Sequence, residues 1–443
     1  MRILLLTTLL TFPTSVVAGG SGLPALPPEV KPSAEQMQQQ LMQAGQAAYA
    51  AVNQGRYLQA LALLEKQAGT LKGFPDLQDQ LNQSLATAQS CVGLTGAARQ
   101  SFGSGQGAGE TVTPGEKQMI ADATLSDAVQ SVVEASRGQQ VVMLNEAHHI
   151  PQSREFARRL ALALHEEGFT YFAAETFAPG VASTQKAGYP THSTGYYSAE
   201  PVFGELIRSA VKAGYTLVPY EAEVYKQGGS ITDQINDRER QQAENLKARI
   251  FDKDPSARVF IYVGYSHNLE APQDQGGMQT KWMALRLREL TGINPLTVDQ
   301  VNGLRLAGPG SDSPLRQAVL RLKSPQMVSV LKNVQGQLLR LPGQNRDIQV
   351  VHPDETLIAG RPGWLYGAGR KAIVVQVPAT PGTGRKLVQA FYSGEDPAAI
   401  PADQVMMNRP GKTTLLLLPG TYHLVVQDEA GHSATPLPDL VVP

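Results

Sequence analysis

The 443-residue chain has one cysteine, Cys91, and two tryptophans, and aromatic residues make up only 6% of it. A single cysteine excludes an intramolecular disulfide and any cysteine-rich metal cluster. In its helical context Cys91 reads as a small buried apolar residue rather than a nucleophile. Charge is sparse and balanced, with 17% charged residues and a net charge of −1. Such a balance attracts neither nucleic acid nor an anionic membrane surface, so neither is expected as a partner. Beyond the first twenty residues no apolar run is long enough to span a bilayer, so no membrane span is expected. A Gly-x-Ser-x-Gly nucleophile elbow is also lacking.

The two ends differ from the middle. Met1-Arg2, the apolar stretch Ile3–Phe12 and the small residues Ser15–Ala18 read as a secretory signal peptide over 1–18. The mature protein is therefore expected in the periplasm or outside the cell. Cys91 lies far from that cleavage region, which argues against a lipid anchor there. A Pro-rich linker follows over 19–32. Residues 33–102 are rich in Ala, Gln and Leu and predict helices; Ala48–Leu64, with Gly55 between two amphipathic runs, resembles one tetratricopeptide-type hairpin. Glycines over 103–109 mark a boundary. From 371 to 443 short β runs (Ile373–Val377, Leu387–Tyr392, Thr413–Leu418, Tyr422–Gln427) predict an immunoglobulin-like or prealbumin-like β-sandwich. The helical hairpin and the sandwich are the two places where a protein partner is expected, if there is one.

Residues 112–370 predict an α/β domain with a mostly parallel central sheet flanked by helices. Five β-rich runs recur roughly every 30–45 residues, about one βαβ unit each: Val141–Leu144, Tyr171–Ala174, Thr216–Tyr220, Val259–Tyr262 and Pro295–Val298. Helical patterns at Arg154–Glu167, Glu200–Ala213, Asp233–Arg249 and Lys281–Leu290 fill the gaps. Residues 304–370 are assigned to this domain as a covering subdomain.

Each of the five runs ends on a residue that can do chemistry: Glu146 with His148 and His149, then Glu175, Glu221, His267 with Asn268, and Asp299. In an open parallel sheet, ligands sit outside the carboxyl ends of the strands, so these residues should converge on one cleft. Histidine changes charge near neutrality, and an adjacent glutamate can orient it or raise its basicity. Glu175, at the end of an apolar strand, needs a cationic partner. Arg238, Gln242 and Asn245 share one helix face. Tyr197 lies in a loop, 188–200, that can wall the cleft.

Four blocks, in order, resemble the erythromycin esterase and ChaN-like superfamily, which includes Tiki-type proteins. The family pattern is a strand, Gly-Glu-x-x-His, a helix and a strand ending in glutamate. Here it stands as Leu144-Asn145-Glu146-Ala147-His148-His149, Glu155-Phe156 and Gly168–Glu175. The esterase branch continues with an arginine before Met-Ala-Glu-Asn, then Ala-His-Asn. Those blocks read Arg238 with Gln242–Asn245, and Ser266-His267-Asn268. The resemblance covers roughly residues 135–305. It implies that His149 is the general base for water and that Glu146 and Glu175 orient it and balance charge. Arg238 and His267 would hold the oxyanion. His148, Tyr197, Glu221, Asn245 and Asn268 are the expected substrate contacts. Asn145 replaces the family glycine, and Phe177–Gly214 does not match the esterase branch, so macrolide hydrolysis is not implied.

The expectation is an exported hydrolase that cleaves an ester, lactone or related bond in a small-molecule substrate by direct water attack, with no cofactor. Three alternatives stay open. One is a metallohydrolase holding a divalent metal on His149, Glu175 and His267. Another is a haem-binding protein of the ChaN type. The third is a scaffolding protein with a degenerate site.

Overall fold

The computed structural model describes residues 33–443 apart from positions 72, 104–111, 225, 227, 276, 368, 378–383 and 432–436. The expected signal peptide, the Pro-rich linker and most of the glycine-rich boundary lie outside the described residues. Four helices come first: α1 (Ala34–Val52), α2 (Tyr57–Ala68), α3 (Pro75–Cys91) and α4 (Thr95–Phe102). Ser33 and Gln36 form a reciprocal capping box that starts α1. The single hairpin read from the sequence is thus the first half of a four-helix unit. Its core of Leu58, Leu61, Leu64, Leu81 and Leu85 also takes in Ala199, Leu387 and Ile400 from the rest of the chain.

The central region runs α5 (Pro114–Asp122), β1 (Thr124–Asp127), α6 (Ala128–Ser136), β2 (Val141–Glu146), α7 (Pro151–Glu166) and β3 (Tyr171–Ala174). Next come α8 (Val181–Ala187), α9 (Pro201–Ala213), β4 (Thr216–Pro219), α10 (Ile231–Leu246) and β5 (Val259–Gly264). A short hairpin, β6 (Gln273–Gln275) and β7 (Met278–Thr280), leads to α11 (Met283–Thr291) and β8 (Leu296–Asp299). After these stand α12 (Pro314–Lys323), β9 (Ser329–Lys332), β10 (Ile348–Val351), β11 (Leu357–Ile358), β12 (Arg361–Pro362) and α13 (Gly363–Tyr366).

Eight strands form one sheet in the order β1-β9-β10-β8-β2-β5-β3-β4. The six from β10 to β4 are mutually parallel, and β9 lies antiparallel between β1 and β10. The central strands β2 and β5 are buried along their whole length, which explains their nearly unbroken apolar runs. Leu144, Phe172, Phe260 and Tyr262 face the core against α6, α7 and α9. Met143, Ala173, Ile261 and Val263 face the other way, onto α10 and α11. This is the expected architecture. One expectation needs correcting: residues 304–370 do not merely cover the sheet, since they contribute its strands β9 and β10.

The C-terminal region holds β13 (Lys371–Val377), β14 (Lys386–Tyr392), β15 (Asp403–Met407), β16 (Gly411–Leu417), β17 (Gly420–Asp428) and β18 (Leu437–Val442). They form two separate antiparallel sheets, β13-β16 and β15-β14-β17-β18. Val375, Val377, Leu415 and Leu417 of the first share a core with Val388, Ala390, Leu424 and Val426 of the second. Among the described residues no helix is long and apolar enough to cross a membrane.

Candidate functional site

Register brings the carboxyl ends of the central strands level: Glu146 pairs with Gly264, and Ala174 with both Tyr262 and Pro219. The residues just beyond these positions form two linked polar groups.

The first group stands at the end of β2. Arg154, fully buried on α7, donates from Nε to Glu146 Oε2 at 2.9 Å and from Nη2 to Oε1 at 3.2 Å. Its Nη1 donates to Glu200 Oε2 at 3.1 Å, and Nη2 also reaches the His148 carbonyl at 2.8 Å. Burial alone would raise the Glu146 pKa, but Arg154 and His148 outweigh it and hold the carboxyl at about 2. Glu146 Oε1 lies 2.7 Å from His148 Nδ1. An ionised carboxylate only accepts, so Nδ1 carries the proton and the unprotonated nitrogen of a neutral ring is Nε2. That nitrogen faces Gly264: a Cβ built there would sit 2.6 Å from His148 Nε2 and 2.7 Å from Glu175 Oε2. The missing side chain at position 264 is what lets the imidazole and the second carboxylate approach each other.

The second group is built on β3, β4, β5 and α10. Glu175 Oε2 accepts the Gly264 N–H at 2.6 Å, and Oε1 accepts Arg238 Nη2 at 2.7 Å. Burial pushes the Glu175 pKa up, but His267, Arg238 and His148 reverse this and hold it well below the usual carboxylate range. Glu221 binds the same guanidinium through Nε and Nη2 and also accepts from Gln242. His267 arrives by a tight turn after β5, in which Tyr265 takes a left-handed φ of 37°. His267 Nδ1 lies 2.7 Å from Glu239 Oε1 without the alignment of a hydrogen bond, and Nε2 lies 3.5 Å from Glu175 Oε1. Burial opposes a charge on this ring, yet the two carboxylates raise its pKa to about 10, making it an imidazolium at neutral pH. Its 3.3 Å approach to Arg238 Nη1 is then a contact between two donors. Nη1 is the part of Arg238 that neither carboxylate binds.

Of the residues singled out in the sequence, Glu146, His148, Glu175, Glu221, Arg238 and His267 come together. Tyr197 joins them, its ring stacked on His148 at 3.8 Å and 7°. Three expectations need correcting. His149 does not face the carboxylates: Nε2 donates to the Leu306 carbonyl at 2.7 Å, Nδ1 meets the Tyr265 hydroxyl at 3.4 Å, and the ring stacks on Phe102. Burial drops its pKa to about 3, so it stays neutral. The alternative metal set of His149, Glu175 and His267 is therefore not assembled, and no group of three or more His, Cys, Asp or Glu suited to a metal ion occurs among the described residues. Asn268 is buried with both its amide groups bonded to protein, and the Asn245 Nδ2 is committed to the backbone. Asn245 Nδ2 binds the carbonyls of Tyr220 and Glu221. Asn268 Nδ2 binds the Val298 carbonyl, and its Oδ1 accepts from Arg346.

Sequence reasoning missed Arg154, Glu239 and Tyr265. Glu239 carried a signal: it interrupts the buried stripe Ile235, Ala243, Leu246 on α10, where a charge needs a partner. Arg154 sits in the first turn of α7, where the helix dipole disfavours a cation unless an acid faces it. Asn145, in the place of the family glycine, has its own task. Its Nδ2 binds Asp299 and the Tyr265 carbonyl at 2.9 Å each, and its Oδ1 accepts the Gln300 N–H.

No protein-family model matches the chain, and no curated protein matches it in sequence. Solved structures give distant matches. The type III effector HopBA1 is 12% identical with a TM-score of 0.34, the match covering 55% of this chain and 100% of that one. RRSP, a MARTX toxin effector domain from Vibrio vulnificus, is 13% identical with a TM-score of 0.31, covering 68% of this chain and 60% of that one. The C-terminal region of Pasteurella multocida toxin is 10% identical with a TM-score of 0.29, covering 82% and 55%. Likenesses this remote carry no argument about function.

Proposed function

We propose that this chain is an exported hydrolase that cleaves an ester, lactone or related bond by direct attack of water, with His148 as the general base. One observation carries the reading: Glu146 holds His148 Nδ1 at 2.7 Å, which turns Nε2 toward Gly264 and Glu175 as a proton acceptor. Water gives a proton to Nε2 as its oxygen bonds the acyl carbon. The carbonyl oxygen takes up the electron pair, stabilised by Arg238 Nη1 and the His267 imidazolium. Collapse breaks the bond to the leaving group, which recovers the proton from Nε2. Glu175 and Glu221 hold Arg238 in place, and Arg154 holds Glu146. The metal, haem and scaffolding alternatives have no specific observation in their favour.

The test compares wild type, His148→Gln and His149→Gln on a panel of esters, lactones and amides at pH 7–8, with EDTA and with added divalent metals. Removing a general base costs about 10²–10⁴-fold. Wild-type turnover that survives EDTA and collapses by that factor in His148→Gln, with a loss of no more than about tenfold in His149→Gln, supports the reading. Equal rates in wild type and His148→Gln refute it.

A further inference from the structure

The polar cleft described above belongs to the α/β domain, yet both aromatic walls around His148 are braced from elsewhere. Glu146 fixes Nδ1 but leaves the imidazole free to swing about that one bond. Two rings fix its plane. Tyr197 stacks on one face at 3.8 Å, and Tyr265 meets the ring edge-on at 5.2 Å and 87°. Neither ring stands alone.

On the Tyr265 side, the hydroxyl meets His149 Nδ1, and His149 lies under Phe102 with ring centroids 3.8 Å apart and planes 13° from parallel. Phe102 also runs parallel to Tyr265 at 6.3 Å. It is the last residue of α4, in the helical unit. On the Tyr197 side, the neighbouring Tyr196 stacks on Tyr49 of α1 at 5.3 Å. Tyr57 of α2 donates its hydroxyl to the Ala199 carbonyl at 2.9 Å and lies 3.1 Å from His192 Nε2. The loop that carries Tyr197 is thus gripped by the first two helices, and the turn that carries His148 is capped by the fourth.

We propose that the N-terminal helical unit is a positioning element of the cleft, in which Phe102 and Tyr49 hold the two aromatic walls that fix the His148 ring. This inference rests on the reading of His148 as the base. It explains why a separate helical unit, rather than the loops of the sheet, closes around the end of β2. It also gives the buried neutral His149 a function that does not require it to touch substrate. A base displaced by a fraction of an ångström loses rate without losing binding.

The test uses Phe102→Leu and Tyr49→Leu in the full chain, with Phe102→Tyr as the conservative rescue and Val426→Ala, in the C-terminal sheet, as a control for general loss of Tm. Two readouts are taken. The first is kcat and KM on whichever panel substrate the wild type turns over. The second needs no substrate: it is solvent exchange of the downfield Nδ1 proton of His148, assigned by its loss in His148→Gln. Both Leu variants should lower kcat about tenfold with KM within about twofold. They should also speed Nδ1 exchange about tenfold, with Phe102→Tyr near wild type and Val426→Ala unchanged in both. Wild-type kcat and Nδ1 protection in the Leu variants, or an equal effect of Val426→Ala, overturn the proposal. If the wild type turns over nothing, the exchange readout alone judges the positioning, and that failure counts against the hydrolase reading.

Discussion

Gly264→Ala is the sharpest probe of the cleft, because it adds one methyl group where the structure has no room for it. Gly264 sits in ordinary strand backbone at the end of β5, so alanine brings no conformational penalty of its own. Its Cβ would stand 2.6 Å from His148 Cε1 and Nε2 and 2.7 Å from Glu175 Oε2. Ordinary contact begins near 3.4 Å, so at least one partner must retreat by about 0.8 Å. His148 is blocked by Tyr197 on one face and tied to Glu146 at Nδ1. Glu175 is tied to Arg238 and to the Gly264 N–H itself. Overpacking of this kind costs about 1–3 kcal/mol of stability. A reacting group misplaced by about 1 Å loses about 10²-fold in rate. The assay is kcat on the best panel substrate alongside a urea melt. The expected variant is folded, destabilised by about 1–3 kcal/mol, and about a hundredfold slower. A folded Gly264→Ala with wild-type kcat would refute the placement of His148 Nε2 against this strand end.

Two further outcomes follow from the charges. The His267 pKa is raised from 6.5 to about 10 in the folded protein, chiefly against burial and by Glu239 and Glu175. Its contribution to stability is therefore complete below pH 6.5 and disappears as pH climbs through about 10; urea melts should lose about 5 kcal/mol across that window. His267→Gln should flatten the loss, and parallel pH profiles for the two proteins would contradict the assignment of this charge. Arg154→Met should cost about 3–5 kcal/mol at pH 7, because it removes the buried guanidinium that Glu146 and Glu200 share. The triple variant Arg154→Met, Glu146→Gln, Glu200→Gln should recover part of that loss in the same melts. A single variant as stable as wild type would show that Arg154 does not neutralise them.

The strands that carry the site were legible because each is short, apolar and followed at once by a polar residue. Tyr171–Ala174 was read with the bounds the structure has, and the ends of β2, β4, β5 and β8 shifted by one or two positions. That the far edge belongs to this sheet was not legible. β9 and β10 are four residues each and separated from the others by Pro- and Gly-rich chain, so nothing local marks them as members of the same sheet. Which of two adjacent histidines faces the cleft was equally hidden. The turn after Glu146 is neither helix nor strand, so no periodicity assigns a face to His148 or His149. The choice is made by Phe102 and Leu306, 47 residues before and 157 residues after His149, and no local pattern reports such partners. Asn245 and Asn268 misled for a related reason. A polar side chain beside a cleft is also well placed to bind the backbone carbonyls that shape it.

The cluster is costly as a purely structural device. Glu146, Glu175, Glu200, Glu221 and Glu239 have Arg154, Arg238 and the His267 imidazolium as cationic neighbours. Five carboxyl groups thus share three cations in a largely buried region. Charges removed from water are repaid by their partners only with good geometry and complete hydrogen bonding, and well-packed apolar residues often serve stability better. Here the bonding is incomplete. Glu239 Oε1 and His267 Nδ1 are close without being aligned, and Arg238 Nη1 has no carboxylate. Meanwhile the surrounding sheet, with β2 and β5 wholly buried and apolar up to Asn145 and Glu146, needs no such cluster to hold it together. A fold that breaks its own packing rules at one end of one sheet, and nowhere along those strands, concentrates its unfavourable choices where charge can act on a bound molecule.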